Sequence, residues 1–151
     1  MAVRVQSEDF EVGRELDSLV AGGRQAGAVV SFTGLVRDAS DSRNISAMTL
    51  EHYPGMTERA LQDIVGRARE RWDILDALVI HRVGRLLPGD RIVLVAVSGS
   101  HRGECFRACE FIMDYLKTEA PFWKKEETAG AGAHWVEARQ SDDEAAQRWV
   151  D

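Results

Sequence analysis

Lys117-Thr118-Glu119-Ala120-Pro121-Phe122-Trp123-Lys124-Lys125-Glu126 interleaves ammonium groups with aromatic rings where a helix is expected to end. A lysine beside apolar rings loses part of its hydration, which lowers its pKa and suits it to acid, base or covalent work. The same residues also have a structural use, since lysines at a helix C-terminus complement its dipole and lay their stems over rings such as Phe122 and Trp123. Ser98-Gly99-Ser100-His101-Arg102-Gly103 leaves a hydrophobic strand and opens a helix. Free N–H groups at a helix start, flexible glycines and an adjacent arginine make an anion pocket, while an N-capped turn with two solvated charges would read the same way. Arg37 follows Thr33-Gly34-Leu35-Val36 at a strand end, where a guanidinium either grips an anion in two places or lies on a surface loop.

His101, Cys105 and Cys109 fall at i to i+4 spacing. One straight helix presents such side chains in a line rather than a tetrahedral cage, and no fourth ligand is evident, so the cysteines are read as small core residues. His52 and His81 lie in strand patterns and read as hydrogen-bonded core or edge histidines, while His134 has no telling neighbours. Ser98, Ser100 and His101 lack the G-x-S-x-G elbow of a hydrolase.

The elements that must position these groups follow from periodicity. Ala28 to Val36 and Ile45 to His52 read as strands, with the polar stretch from Arg37 to Asn44 a mobile loop between them. Pro54 suits the start of a helix whose stripe is Leu61, Ile64, Val65, Ala68 and Trp72. Ala77 to Val83 and Arg91 to Val97 are apolar on both faces and read as a central antiparallel pair joined through Pro88-Gly89-Asp90. Cys105, Phe106, Cys109, Ile112, Met113 and Leu116 mark a helix half buried on that sheet, with Ser100 as N-cap and Pro121 as its stop. Phe122 to Thr128 reads as a charged connector, Gly130 and Gly132 as loop punctuation, His134 to Arg139 as a last strand, and the tail from Ser141 as a short helix with a capping box to Glu144. Strands and helices mix without a regular βαβ repeat, so the expected fold class is α+β: residues 1–151 as a single compact domain with a mixed, mainly antiparallel sheet and packed helices.

Composition narrows the function. The 151 residues are 44% hydrophobic and 29% charged, and 19 basic against 25 acidic side chains leave a net charge of −6. That balance argues against disorder and against nucleic acid as a partner. No apolar run reaches membrane-spanning length and MAVRVQSEDF carries no apolar leader, so no membrane partner and a cytoplasmic location are expected.

Taken in order, SFTGLVRD, LEHYPGMTERAL, IHRVGRLLPGD, SGSHR, FIMDYLKTEAPFWKKE and HWVEAR closely resemble the large, catalytic subunit of molybdopterin synthase, the MoaE family, over about Val29 to Arg139. The resemblance implies a MoaE-like α/β hammerhead and a sulfurtransferase of molybdenum cofactor biosynthesis. Its reaction converts cyclic pyranopterin monophosphate (precursor Z) into molybdopterin by installing two sulfurs as a dithiolene. It also implies a MoaD-like, ubiquitin-like small subunit whose C-terminal Gly-Gly thiocarboxylate brings the sulfur in trans, and a homodimer at the centre of a heterotetramer. Carried over residue by residue, the pocket comprises Leu35, Val36 and Arg37, His101 and Arg102, Lys117, and Lys124, Lys125 and Glu126, with Lys117 and Lys124 catalytic. Lys125 stands where relatives often have arginine, which weakens any bidentate contact. No cofactor or metal is implied for this step, and the two cysteines need not carry sulfur. A non-catalytic adaptor for a ubiquitin-like tail and a simple phosphate-binding module are the rival readings.

Spacing adds one inference of its own. Arg102 and Lys117 at opposite ends of a straight helix stand roughly 22 Å apart at ~1.5 Å per residue, beyond the reach of one small substrate. Each active site is therefore expected to be composite, with His101 and Arg102 of one protomer facing Arg37, Lys117 and Lys124 of the other.

Overall fold

Val93, Val95 and Val97 alternate with Leu94 and Ala96, and all five are buried, so the strand that carries them must be covered on both faces. The computed structural model, which describes residues 2–23, 25–40, 43–128, 132–136 and 140–150, supplies both covers. In chain order the elements are β1 (Ala2–Gln6), α1 (Val12–Val20), β2 (Ala28–Leu35), β3 (Ala39–Ser40), β4 (Arg43–His52), α2 (Met56–Arg71), β5 (Asp76–Arg82), β6 (Gly84–Leu86), β7 (Arg91–Gly99), α3 (Arg102–Glu119), β8 (Phe122–Thr128), β9 (Gly132–Val136) and α4 (Gln140–Gln147).

The first sheet runs β1-β5-β7-β2, parallel only between β1 and β5. The apolar stripes of α2 and α3 close one face over Ala77, Val79, Val93, Val95 and Val97. On the other face Val12, Leu16 and Leu19 of α1 pack with Phe10 over Leu78, Ile80, Leu94 and Ala96. Gly99 is required by this packing: a Cβ there would lie 2.7 Å from Cys105 Sγ, so only glycine lets the first turn of α3 settle on the strand end. The second sheet is antiparallel, β3-β4-β8-β9 with β6 also paired to β4. Val36, Met48, Leu50 and Leu86 form its own small core, which Ile92 of β7 joins to the first sheet.

The α+β class and the mainly antiparallel pairing match expectation, with the strands divided between two sheets. β5 and β7 are antiparallel neighbours, yet no simple hairpin joins them, because β6 leaves to pair with β4. Pro88-Gly89-Asp90 turns the chain beyond it: Gly89 sits at φ +91, and Leu87 N donates to Asp90 Oδ2 at 2.8 Å. The loop after Arg37 contains the short strand β3 paired to the start of β4. Phe122–Thr128 is a strand rather than a connector. Its charges disguised it, since Lys124 and Glu126 point to the same side as Phe122, toward a cavity instead of a dry core. Ser100 is not the cap of α3: His101 holds that position with extended backbone and no side-chain cap bond. Ser141 lies inside α4, which begins at Gln140. β1 and α1 were not anticipated. Gly130 and residues 137–139 of the expected last strand lie outside the described residues.

Candidate active site

The last turn of α3, the start of β8 and the end of β2 converge on a cavity of about 290 Å³. Each brings one cation: Lys117 from α3, Lys124 from β8 and Arg37 from the segment leaving β2. The floor is apolar, with Met48 and Leu50 of β4 and Ile92 of β7, and Glu126, Asp142 and His81 complete the polar lining. A concave, mostly apolar site with a few convergent charged groups is the usual form of a small-molecule pocket. Three ammonium and guanidinium groups against the two carboxylates Glu126 and Asp142 leave the lining with an excess of positive charge, which favours an anion.

Hydrogen bonds of ordinary length hold the contributing segments in place. Val36 N donates to Asp90 O and accepts through its own carbonyl from Gly89 N, both at 2.9 Å, so the Gly89-Asp90 turn clamps the residue before Arg37. Thr57, fully buried at the first turn of α2, accepts from Tyr53 N at 3.0 Å and donates to Pro121 O at 2.9 Å. That hydroxyl ties α2 to the corner between Lys117 and Lys124. Trp149 Nε1 donates to Asp114 Oδ2 at 2.7 Å and Arg71 donates to Trp149 O at 2.9 Å. The chain after α4 is thus fastened to α3 and α2, with Asp142 at the cavity.

His81 is 5% exposed. Its Nδ1 lies 2.8 Å from Arg82 O and its ring stacks on Phe122 with centroids 3.9 Å apart. Burial, with the nearby charges of Lys117 and His52, pushes its pKa down to about 4, against the lift from the Arg82 carbonyl. The imidazole is therefore neutral at physiological pH.

The cavity thus gathers Leu35, Val36, Arg37, Lys117, Lys124 and Glu126 of the residues expected from sequence. It does not gather Lys125, which projects from the other side of β8 and places Nζ 4.8 Å from the centre of the Trp135 ring. His101 and Arg102 lie apart as well, in an open pocket at the N-terminal end of α3 with Gly27, Ser100 and Gly103. Here the backbones nearly touch. Gly27 N donates to Gly99 O at 2.9 Å, and a Cβ on Gly27 would meet Ser100 O at 2.3 Å. Cys105 and Cys109 are buried free thiols between the two ends of the helix. Burial raises the Cys105 thiol and pushes Cys109 up to about 12, which leaves neither nucleophilic. Sequence reasoning missed Asp142 and the cavity position of His81. Strand parity was the available signal for His81, which shares a face of β5 with Ala77 and Val79 and sits at the strand end where α3 finishes.

A family model described as MoaE protein matches residues 5–119. The chain belongs to the MoaE family. It is 63% identical over 147 residues to the molybdopterin synthase catalytic subunit of Ralstonia nicotianae, covering 97% of this chain and 83% of that protein. A solved MoaE protein of molybdopterin biosynthesis from Burkholderia ambifaria superposes with a TM-score of 0.85 at 53% identity, over 100% of both chains. The fold extends to a complex of subunits 1 and 2 of molybdopterin-converting factor from Helicobacter pylori, with a TM-score of 0.72 at 19% identity over 91% of this chain and 90% of that one.

Proposed function

We propose that the cavity at the C-terminal end of α3 is where this MoaE-family chain, the catalytic subunit of a molybdopterin synthase, converts precursor Z into molybdopterin. The observation that carries the reading is the convergence of Arg37, Lys117 and Lys124, from distant parts of the sequence, on one apolar-floored cavity. Sulfur arrives on the C-terminal thiocarboxylate of a small ubiquitin-like subunit. Its sulfur attacks a side-chain carbon of the bound pterin and displaces oxygen. Water then cleaves the resulting thioester, leaving sulfur on the substrate and a carboxylate on the spent partner, and a second thiocarboxylate repeats the exchange. Opening of the cyclic phosphate and loss of oxygen both build negative charge, which Lys117 and Lys124 stabilise more in the transition state than in the ground state. Arg37 holds the anionic phosphate.

His101 and Arg102 join this site from a second protomer. On one chain they lie in a different pocket, about 22 Å along α3 from Lys117 at ~1.5 Å per residue, and a two-fold partner brings its own pair to the cavity. Among the described residues no helix is long and apolar enough to cross a membrane, and we place the reaction in the cytoplasm.

Incubating the chain with thiocarboxylated small subunit and precursor Z, and following dithiolene product by mass spectrometry, tests the reading. Product is expected only when all three are present. Binding of the partner or of phosphate with no product would leave an adaptor or a binding module instead.

A further inference from the structure

His81 is unexplained by packing alone. Its neighbours on the same strand face, Ala77 and Val79, are apolar and fully buried, and an imidazole there carries a desolvation cost that a valine or leucine would avoid. Its surroundings define what it can offer. The Arg82 carbonyl can only accept, so Nδ1, 2.8 Å away, carries the proton. In the neutral ring Nε2 then holds a lone pair and no hydrogen. The stack on Phe122, with the rings 20° from parallel, covers one face of the imidazole and fixes its plane. The ring lines the same cavity as Lys117 and Lys124, and the Lys117 ammonium is near enough to disfavour a proton on it. What remains for the cavity is an oriented neutral acceptor beside the cations Arg37, Lys117 and Lys124 and the carboxylates Glu126 and Asp142.

We propose that His81 is a positioning residue of the active site, its Nε2 accepting a hydrogen bond from the Lys117 ammonium and aiming that charge at the reacting centre. Lysine has a flexible four-carbon stem and three rotatable donors, so a fixed acceptor narrows the geometries it samples. Neutrality is part of the fit, because a protonated ring would repel the ammonium and offer no lone pair. The inference rests on the catalytic role of Lys117 proposed above.

The test uses the chain in complex with thiocarboxylated small subunit and compares three substitutions. His81→Phe keeps the ring and its stack but removes the acceptor. His81→Gln returns a carbonyl oxygen near the place of Nε2, and His81→Asn returns one near Nδ1. Expected is a loss of roughly 10-fold in kcat for Phe and Asn with KM within about twofold, and recovery to within about threefold of the parent for Gln. In the Lys117→Ala background, His81→Phe should add nothing, whereas with Lys124→Ala the losses should multiply. Unchanged kcat in His81→Phe overturns the proposal. So does a rise in KM alone, or an equal loss in the Lys117→Ala background, which would mark contact with substrate or a role in folding. If His81→Phe does not fold, the Gln and Asn pair carries the decision: equal kcat in the two overturns the proposal. Lys117→Ala with undiminished turnover would bring down the reading of Lys117 itself, whatever the His81 variants do.

Discussion

The two ends of α3 are built on different principles. The C-terminal end is a walled cavity: β8, β4 and the segment leaving β2 surround it, with Lys124 half-buried and Arg37 and Lys117 exposed around an apolar floor. The N-terminal end is open, made of glycine-rich backbone that lies too close for side chains, with His101 and Arg102 exposed at its rim. A site with an apolar floor lowers the local dielectric beside the charges on its wall and makes them count for more in a transition state. An open one can present charges but not desolvate them by itself, and needs another surface to complete it. The comparison supports the proposal that one end carries the chemistry and the other is completed by a second protomer.

The sharpest way to break that assignment is to remove one cation from each end. Lys117→Ala or Lys124→Ala should lower kcat by about 10² to 10³ with modest change in KM, as for a group that acts in the transition state. Arg102→Ala should fall mainly on KM, by about 10-fold, as for loss of a charge-assisted contact to a bound anion. Mixing Arg102→Ala chains with Lys117→Ala chains should restore part of the activity, because some composite sites then keep both residues. A confirmed mixed dimer without rescue would mean that the ends do not share a site, and a pure KM effect of Lys124→Ala would move that lysine to binding.

The cavity end contains a titratable ring held neutral by its own burial, His81, and stability should record it. The His81 pKa is about 4 in the folded chain against 6.5 for the free side chain. Above pH 6.5 both states are neutral there; as pH falls toward 4 the unfolded state takes the proton first. The contribution is therefore fully present above the unfolded value and lost as pH falls through the folded one, up to roughly 3 kcal/mol. Denaturant titrations from pH 7 to 4 should show a shallower acid decline in His81→Phe than in the parent. Parallel declines would place His81 in contact with solvent.

How much of this contrast was legible beforehand depends on what each residue faces. Cys105, Cys109, Ile112 and Leu116 announced α3 because its inward side is dry core, where apolar periodicity is strict, whereas Phe106, read with them, is exposed. β8 was invisible because its inward side faces the cavity, so Lys124 and Glu126 break the alternation that marks a strand. For the same reason Lys125 could not be told from Lys124: adjacent residues of a strand point to opposite faces, and only knowing the strand separates them. β1 pairs with one neighbour at the sheet edge, and α1 buries no residue fully, which left little pattern to read. The cations were legible as types; that they meet is a property of the sheets.

A subtler difference between the ends is how firmly each is held. Thr57 bridges α2 to Pro121 at the corner between Lys117 and Lys124, while α3 starts on a cap position with no side-chain bond. Thr57→Val keeps the shape but orphans Pro121 O and Tyr53 N, which predicts a loss of about 1 to 3 kcal/mol in folding stability. Denaturant melts measure it. If the latch also sets the spacing of the two lysines, kcat should drop several-fold more than KM rises in the same variant. A stable Thr57→Val chain with parent kinetics would show that β8 pairing alone holds the corner.

Between the two ends lies the stretch of α3 that should do nothing to sulfur. Cys105 and Cys109 are buried, with thiols raised by desolvation, Cys109 to about 12, so the thiolate needed for sulfur chemistry is scarce at neutral pH. Cys109 Sγ lies 3.8 Å from Val95 O, in the core and not in either pocket. Replacing both cysteines with alanine should leave the rate of dithiolene formation within about twofold while costing stability on the order of 1 kcal/mol per buried sulfur, as for a lost core group of that size. Retained folding with lost transfer would put a cysteine in the sulfur path. The middle of the helix would then carry chemistry, and the division of labour between its ends would no longer describe the enzyme.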